Sequence, residues 1–164
     1  MRIIGIDLGT KAGVANFHDD TITFGMVDLR LRKGDTPGMR YGMFRRFLEE
    51  FLEPPPDVVY YEDVKRHLGT QAAHVYGGLL AVLMMVCDQK GVRYVPVGVQ
   101  AAKMRMTGKG NATKTEMVAA VRREFAHVPN IDSITEDAAD AMAVAVAGIR
   151  RAHQNGLDLP RKQG

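Results

Sequence analysis

The stretch Arg2-Ile3-Ile4-Gly5-Ile6-Asp7-Leu8-Gly9-Thr10 constrains the chain more than any other. Ile3, Ile4 and Ile6 form a short, β-branched apolar run, and Gly9 with Lys11-Ala12-Gly13 supplies turn signals. The run reads as a buried strand that ends on a carboxylate and then turns. Val14-Ala15-Asn16-Phe17 reads as a second strand pairing back across a hairpin. Asp7 then ends a strand in the middle of a sheet, where an ionised carboxylate is costly unless it is paired, hydrogen-bonded or bound to a cation. Aspartate also caps turns for purely local reasons, and this stretch alone leaves both roles open.

At 164 residues, 46% apolar and 25% charged, the chain suits one domain with a proper core. Its one cysteine, Cys87, lies in an apolar run. That excludes a disulfide framework and a cysteine-built zinc site, and it fits a core thiol in a reducing cytosol. Neither a signal peptide nor an apolar run of membrane-spanning length is expected, so no membrane partner is expected. A formal net charge of +3 permits a nucleic-acid partner without requiring one.

Residues 21–29 read as a third strand and residues 30–40 as a basic loop with Arg30, Arg32, Lys33 and Arg40. From Met39 the pattern turns helical, with Met43, Phe44, Phe47, Leu48 and Phe51 on one face, until Pro54-Pro55-Pro56 ends it. Val58-Val59-Tyr60-Tyr61 is a fourth strand, and it too ends on a carboxylate, Glu62. Residues 70–89 form a helix too apolar all round for an ordinary surface helix, with Gly77-Gly78 allowing another backbone to come close. A fifth strand (92–97), a short helix (99–106) and a Gly-rich loop (107–112) follow. Thr113 and Glu116 have the spacing of a capping box, opening a helix with Met117, Val118, Val121 and Phe125 inward. Ser133 and Glu136 repeat that spacing before a last helix ending near Arg151. The order predicts an α/β fold, a five-stranded mixed sheet flanked by helices with at least one parallel crossover. One domain is expected over residues 1–153 and a flexible tail over 154–164.

The last helix carries Asp137 and Asp140 at i and i+3, on one face. Its small neighbours Ala138, Ala139 and Ala141 allow it to lie tight against a sheet. The pair is either a solvated polar face or part of a site, and Glu136, as capping-box partner, is left out of it. Asp7, Glu62, Asp137 and Asp140 together make an acidic set from two strand ends and one helix. Five histidines are scattered and no serine-centred elbow is present, so nothing comparable serves nucleophilic catalysis. Four carboxylates suit hard cations such as Mg²⁺ or Mn²⁺. Clusters of this type support phosphodiester hydrolysis with two ions about 4 Å apart.

Gly5-Ile6-Asp7-Leu8-Gly9-Thr10, Tyr61-Glu62, Gly108-Lys109-Gly110-Asn111-Ala112 with Lys114, and Asp137-Ala138-Ala139-Asp140-Ala141 resemble, in order, the motifs of the RuvC family of Holliday-junction resolvases. The resemblance runs from Arg2 to Arg151. It implies a ribonuclease-H-like fold, a homodimer, and Mg²⁺-dependent paired nicking of four-way and other branched DNA, with Asp7, Glu62, Asp137 and Asp140 as catalytic and metal-ligating residues. No small-molecule cofactor is implied. Bacterial members carry a base-stacking Phe three residues after the strand glutamate, where this chain has Lys65, a departure that points to a phage-type member. The location implied is the cytoplasm, at the nucleoid or in a phage's host.

Two rival readings stand beside this one. A YqgF-like RNA-processing nuclease begins with a similar Asp-x-Gly-Thr-Lys, and a non-enzymatic branched-DNA-binding module would account for the basic residues alone. The Gly-rich turn also resembles a phosphate loop of actin- and sugar-kinase-type ATPases, but no second Asp-Gly phosphate loop follows it. Phosphates must reach an acidic site against repulsion, so Lys65, Arg66, Lys103, Lys109 and Lys114 are the expected DNA contacts. With no Trp, the chain lacks the aromatic platform of a single-strand binder.

Overall fold

The computed structural model describes residues 1–67 and 69–154. Three strands, β1 (Arg2–Asp7), β2 (Lys11–His18) and β3 (Thr21–Asp28), form an antiparallel meander. They are followed by α1 (Pro37–Phe51), β4 (Val58–Asp63), α2 (Thr70–Lys90) and β5 (Arg93–Gly98). Then come α3 (Val99–Thr107), α4 (Lys114–Glu124), a 3₁₀ turn at Ile131–Ser133 and α5 (Glu136–Gln154). The sheet order is β3-β2-β1-β4-β5, with β1, β4 and β5 parallel, so β1 is its central strand and α2 the crossover. The predicted five-stranded mixed sheet is therefore observed.

Strand alternation sends each residue set to its own layer. Ile4, Ile6, Val14, Val59 and Tyr61 meet α1 and α2 through Phe44, Leu48, Leu79 and Leu83. Ile3, Ala15, Val58, Tyr60 and Val97 meet the α3–α5 layer. With helices on both faces, β1 is apolar on both sides until Asp7, as the continuous Ile run anticipated.

Several local expectations change. Gly13 is not a turn residue but lies within β2, opposite Asp7. The capping box at Thr113 and Glu116 is present. That of Ser133 and Glu136 is not: Ser133 Oγ donates to the Asn130 carbonyl (2.8 Å) inside the 3₁₀ turn, and Thr135 Oγ1 accepts from the Ala138 N–H (3.3 Å) to cap α5. Helix α5 continues to Gln154, past the expected end; the rest of the expected tail, 155–164, lies outside the described residues. By length and composition α2 does reach membrane-spanning size, contrary to expectation. Tyr76, Leu79, Leu83, Val86 and Cys87 seat it in the core, and burial pushes the Cys87 thiol up to about 12. Of the expected glycine pair, Gly78 is used within the chain, where a methyl group would collide with the Tyr41 ring at 2.4 Å; Gly77 faces open space.

Candidate active site

Strands β1 and β4 run parallel with Ile6 beside Tyr61, which brings Asp7 and Glu62 to neighbouring strand ends. Both follow the alternation onto the α5 face. Over them α5 lies on bare backbone. A methyl group at Gly13 would sit 1.8 Å from the Asp137 carbonyl oxygen, and one at Gly5 would sit 2.2 Å from that of Ala141. Real Cβ contacts never come that close, so only glycine at both places lets the helix seat where it does. The small α5 residues were legible as the helix half of this contact; the sheet half was not. The seating carries Asp137 and Asp140, one turn apart, to the two strand acids.

The four carboxylates act on one another. Burial first, then Glu62, Asp140 and Asp137, holds the Asp7 carboxyl well above the usual range, and Asp7 shares a hydrogen bond with Glu62. Glu62 is raised by burial and by Asp140, against the pull of its hydrogen bond to Asp7 and of Lys103 and Lys114. Asp140 is raised chiefly by burial, opposed by Lys114 and Lys103. Burial and mutual repulsion both work against the ionised set, and added positive charge would relieve them. Among the described residues no three acidic, histidine or cysteine side chains close a coordination shell by themselves. An all-carboxylate set that leaves positions to water and phosphate oxygens suits Mg²⁺-like ions, which keep several waters and seldom take all-protein cages. The donor chemistry therefore fits a hard divalent cation.

Only part of the expected basic set reaches the acids. Lys103 Nζ donates to the Ala112 carbonyl (2.8 Å), tying α3 to the Gly-rich loop, and its charge is felt by Glu62 and Asp140. Lys114 pairs with Glu136 (3.4 Å) and acts on Asp140 and Glu62. Glu136 therefore has a place beside the site that its supposed capping role had hidden. Lys109 turns instead to Glu116 (3.0 Å), and Lys65 to Asp63 (2.5 Å). Arg66 is exposed.

On the opposite face of the same sheet end, Leu8, Thr10, Arg40, Val64, His67 and Tyr76 line a cleft of about 540 Å³. The His67 ring lies against that of Tyr76, centroids 4.8 Å apart. The aromatic surface absent at Lys65 is thus present two residues on, in a histidine that sequence spacing could not distinguish from an ordinary surface residue.

No family model matches the chain. It is 30% identical over 155 residues to the crossover junction endodeoxyribonuclease RuvC of Koribacter versatilis, covering 89% of this chain and 90% of that one. The chain belongs to the RuvC family. The RuvC of Halorhodospira halophila is likewise 30% identical over 162 residues, 96% of this chain and 93% of its own. Thermus thermophilus RuvC in complex with a Holliday junction substrate superposes with a TM-score of 0.75 at 22% identity, covering 94% and 96% of the two chains. The yeast mitochondrial Holliday junction resolvase follows at 0.64 and 14% identity, covering 96% and 81%. The ribonuclease-H-like fold expected of a RuvC-family chain is the fold observed.

Proposed function

We propose that this chain is a structure-selective endodeoxyribonuclease that resolves four-way DNA junctions by paired nicks in the cytoplasm. The supporting observation is the gathering of Asp7, Glu62, Asp137 and Asp140 where two strand ends meet one helix face, in a RuvC-family chain. In this reading those four carboxylates hold Mg²⁺, with Mn²⁺ as a substitute and two ions per site. A divalent cation so held supplies positive charge to the scissile phosphate and acidifies the attacking water. Lys103 and Lys114 draw the phosphodiester toward the acids against their repulsion. Lys65 and Lys109, once Asp63 and Glu116 exchange for DNA, contact phosphates further along the arms, as does the exposed Arg66. The His67 and Tyr76 rings offer a surface to a base unstacked at the crossover.

A four-way junction has two equivalent strands to cut, so a homodimer matches its symmetry. The exposed face of α2 offers the seam: Gly77 is open, Ala81 is exposed and Met85 is 39% exposed. The deciding assay compares a four-way junction, a fork, linear duplex and structured RNA, with and without Mg²⁺. Paired, ligatable nicks near the crossover are expected on the junction, with binding falling steeply with salt. Equal affinity for junction and duplex, or activity confined to RNA, overturns the reading in favour of a YqgF-like enzyme; junction binding without cleavage leaves a binding module.

A further inference from the structure

Far from the acids, where α5 ends over the start of β5, lies a small cleft of about 120 Å³ with an uncommon lining. Its polar side chains are Tyr60, Arg93 and Arg151; the rest is Val95, Val97, Ala152 and the backbone of Gly148. The lining contains no carboxylate and no amide side chain. Two guanidinium groups donate and cannot accept, and a phenol hydroxyl is free to donate. Among the described residues neither guanidinium has an ion-pair or hydrogen-bond partner, nor does the Tyr60 hydroxyl.

Tyr60 is the most informative of the three. It is 3% exposed, and its ring is packed on the Gly148 backbone, where a methyl group would lie 2.3 Å from the ring. The ring is therefore held in one place, and its hydroxyl opens onto the cleft, free to meet a ligand there. Arg151 alone has an ordinary explanation, since a cation near a helix C-terminus is favourable. That explanation does not account for the meeting of two exposed arginines from different elements and a fixed tyrosine ring on one cleft.

We propose that this cleft binds one tetrahedral oxyanion, a phosphate group, gripped by the Arg93 and Arg151 guanidinium groups and met by the Tyr60 hydroxyl. The volume of about 120 Å³ suits a group the size of a phosphate. Guanidinium groups are suited to such a ligand, because their planar forks match two phosphate oxygens at once. Arg93 pairs in register with Val58, four residues before Glu62, so the cleft lies about 13 Å along the strand from the acids. A backbone phosphate on an arm of bound DNA is one source of the ligand, and this version rests on the proposed function. A free phosphate is the other, and the site itself needs neither the acids nor cleavage.

Calorimetry with inorganic phosphate on the full chain, paired with junction binding as a function of salt, tests both. Wild type should bind phosphate, Arg93→Gln/Arg151→Gln should lose at least tenfold in affinity, and Tyr60→Phe should lose severalfold. Tyr60→Phe keeps the ring on Gly148 and carries the test alone if the double variant fails to fold. With DNA as the source, the double variant lowers the slope of log affinity against log salt by about 0.9, one phosphate contact, without changing the single-turnover cleavage rate on saturated junction. Weakened phosphate binding with an unchanged slope assigns the site to a free oxyanion. Phosphate bound equally by wild type and variants, or by none, overturns the proposal. A chain that cuts no junction yet shows the phosphate difference rejects the nuclease reading and leaves the anion site standing.

Discussion

The two faces of the sheet are packed by opposite means. On one, α1 and α2 meet the strands through large side chains, Phe44, Leu48, Tyr76, Leu79 and Leu83, and the helices stand off by the thickness of those groups. On the other, α5 approaches through alanine and glycine until backbone meets backbone at Gly5 and Gly13. Side-chain packing tolerates small adjustments by rotamer change, whereas backbone contact has no rotamer to change. The adjustable face is the one left with spare apolar surface; the unadjustable face carries the carboxylates.

The largest expected effect lies on the unadjustable face. Asp7→Asn and Asp140→Asn should each slow single-turnover junction cleavage at least about 1,000-fold, some 4 kcal/mol of barrier, while junction binding stays equal or tightens as negative charge is removed. Cleavage at the wild-type rate in Mg²⁺ by either variant removes that residue from the essential set.

Next come matched glycine substitutions. Gly13→Ala forces the α5 N-terminus to shift and should cost about 1–3 kcal/mol in denaturant unfolding, with cleavage falling at least tenfold. Gly77→Ala has open space and gains helix propensity, so it should raise monomer stability by up to about 1 kcal/mol. If the two variants cost the same, the contrast between the faces fails.

Oligomeric state sharpens the comparison from the other side. Met85→Glu places a charge on the exposed α2 face and should convert a dimer to monomer at micromolar concentration by light scattering, leaving the far-ultraviolet circular dichroism unchanged. A wild-type monomer in active enzyme removes the α2 seam altogether.

Smaller still is a pH effect in EDTA. The folded-state pKa values of Asp7, Glu62 and Asp140 are raised, by burial first, so the folded chain holds those protons more tightly than the unfolded one. Their contribution is greatest below the ordinary carboxylate range and is lost as pH rises from there through the raised values. The cation-free Tm should fall over that interval, and Asp7→Asn should flatten the fall. A Tm independent of pH there, or an Asp7→Asn chain that falls as far as wild type, contradicts the burial. Thr135→Ala removes the α5 cap and should cost about 0.5–2 kcal/mol in denaturant unfolding, and the smallest change is Ser133→Ala, which leaves that cap in place.

These contrasts separate what was legible in the sequence from what was not. Both strand acids could be read because each ends a β-branched or aromatic apolar run, a local signal. Asp137 and Asp140 could be read because i, i+3 spacing defines a helix face. Gly13 could not, because glycine beside Lys11 and Ala12 reads as a turn, and only the distant α5 backbone explains it. Gly77 and Gly78 look alike until Tyr41 of another helix packs on one of them. Ser133 and Thr135 both precede α5, and the 3₁₀ turn, invisible to spacing rules, decides which one caps it. Lysine partners were the least legible: Lys109 and Lys114 lie within a few residues of each other, yet one turns to Glu116 and the other to Glu136 at the acids.

The backbone contact at Gly5 and Gly13 also bears on how loss-of-function screens of this chain would read. A saturation library scored by cleavage would return those two glycines with nearly every replacement dead, the same profile as the acids, though neither has a side chain to offer the reaction. Ranking positions by such scores would enrol both as catalytic. A parallel measure of stability would sort them, because replacing an acid by its amide leaves the packing intact while adding a single carbon at either glycine lowers the stability.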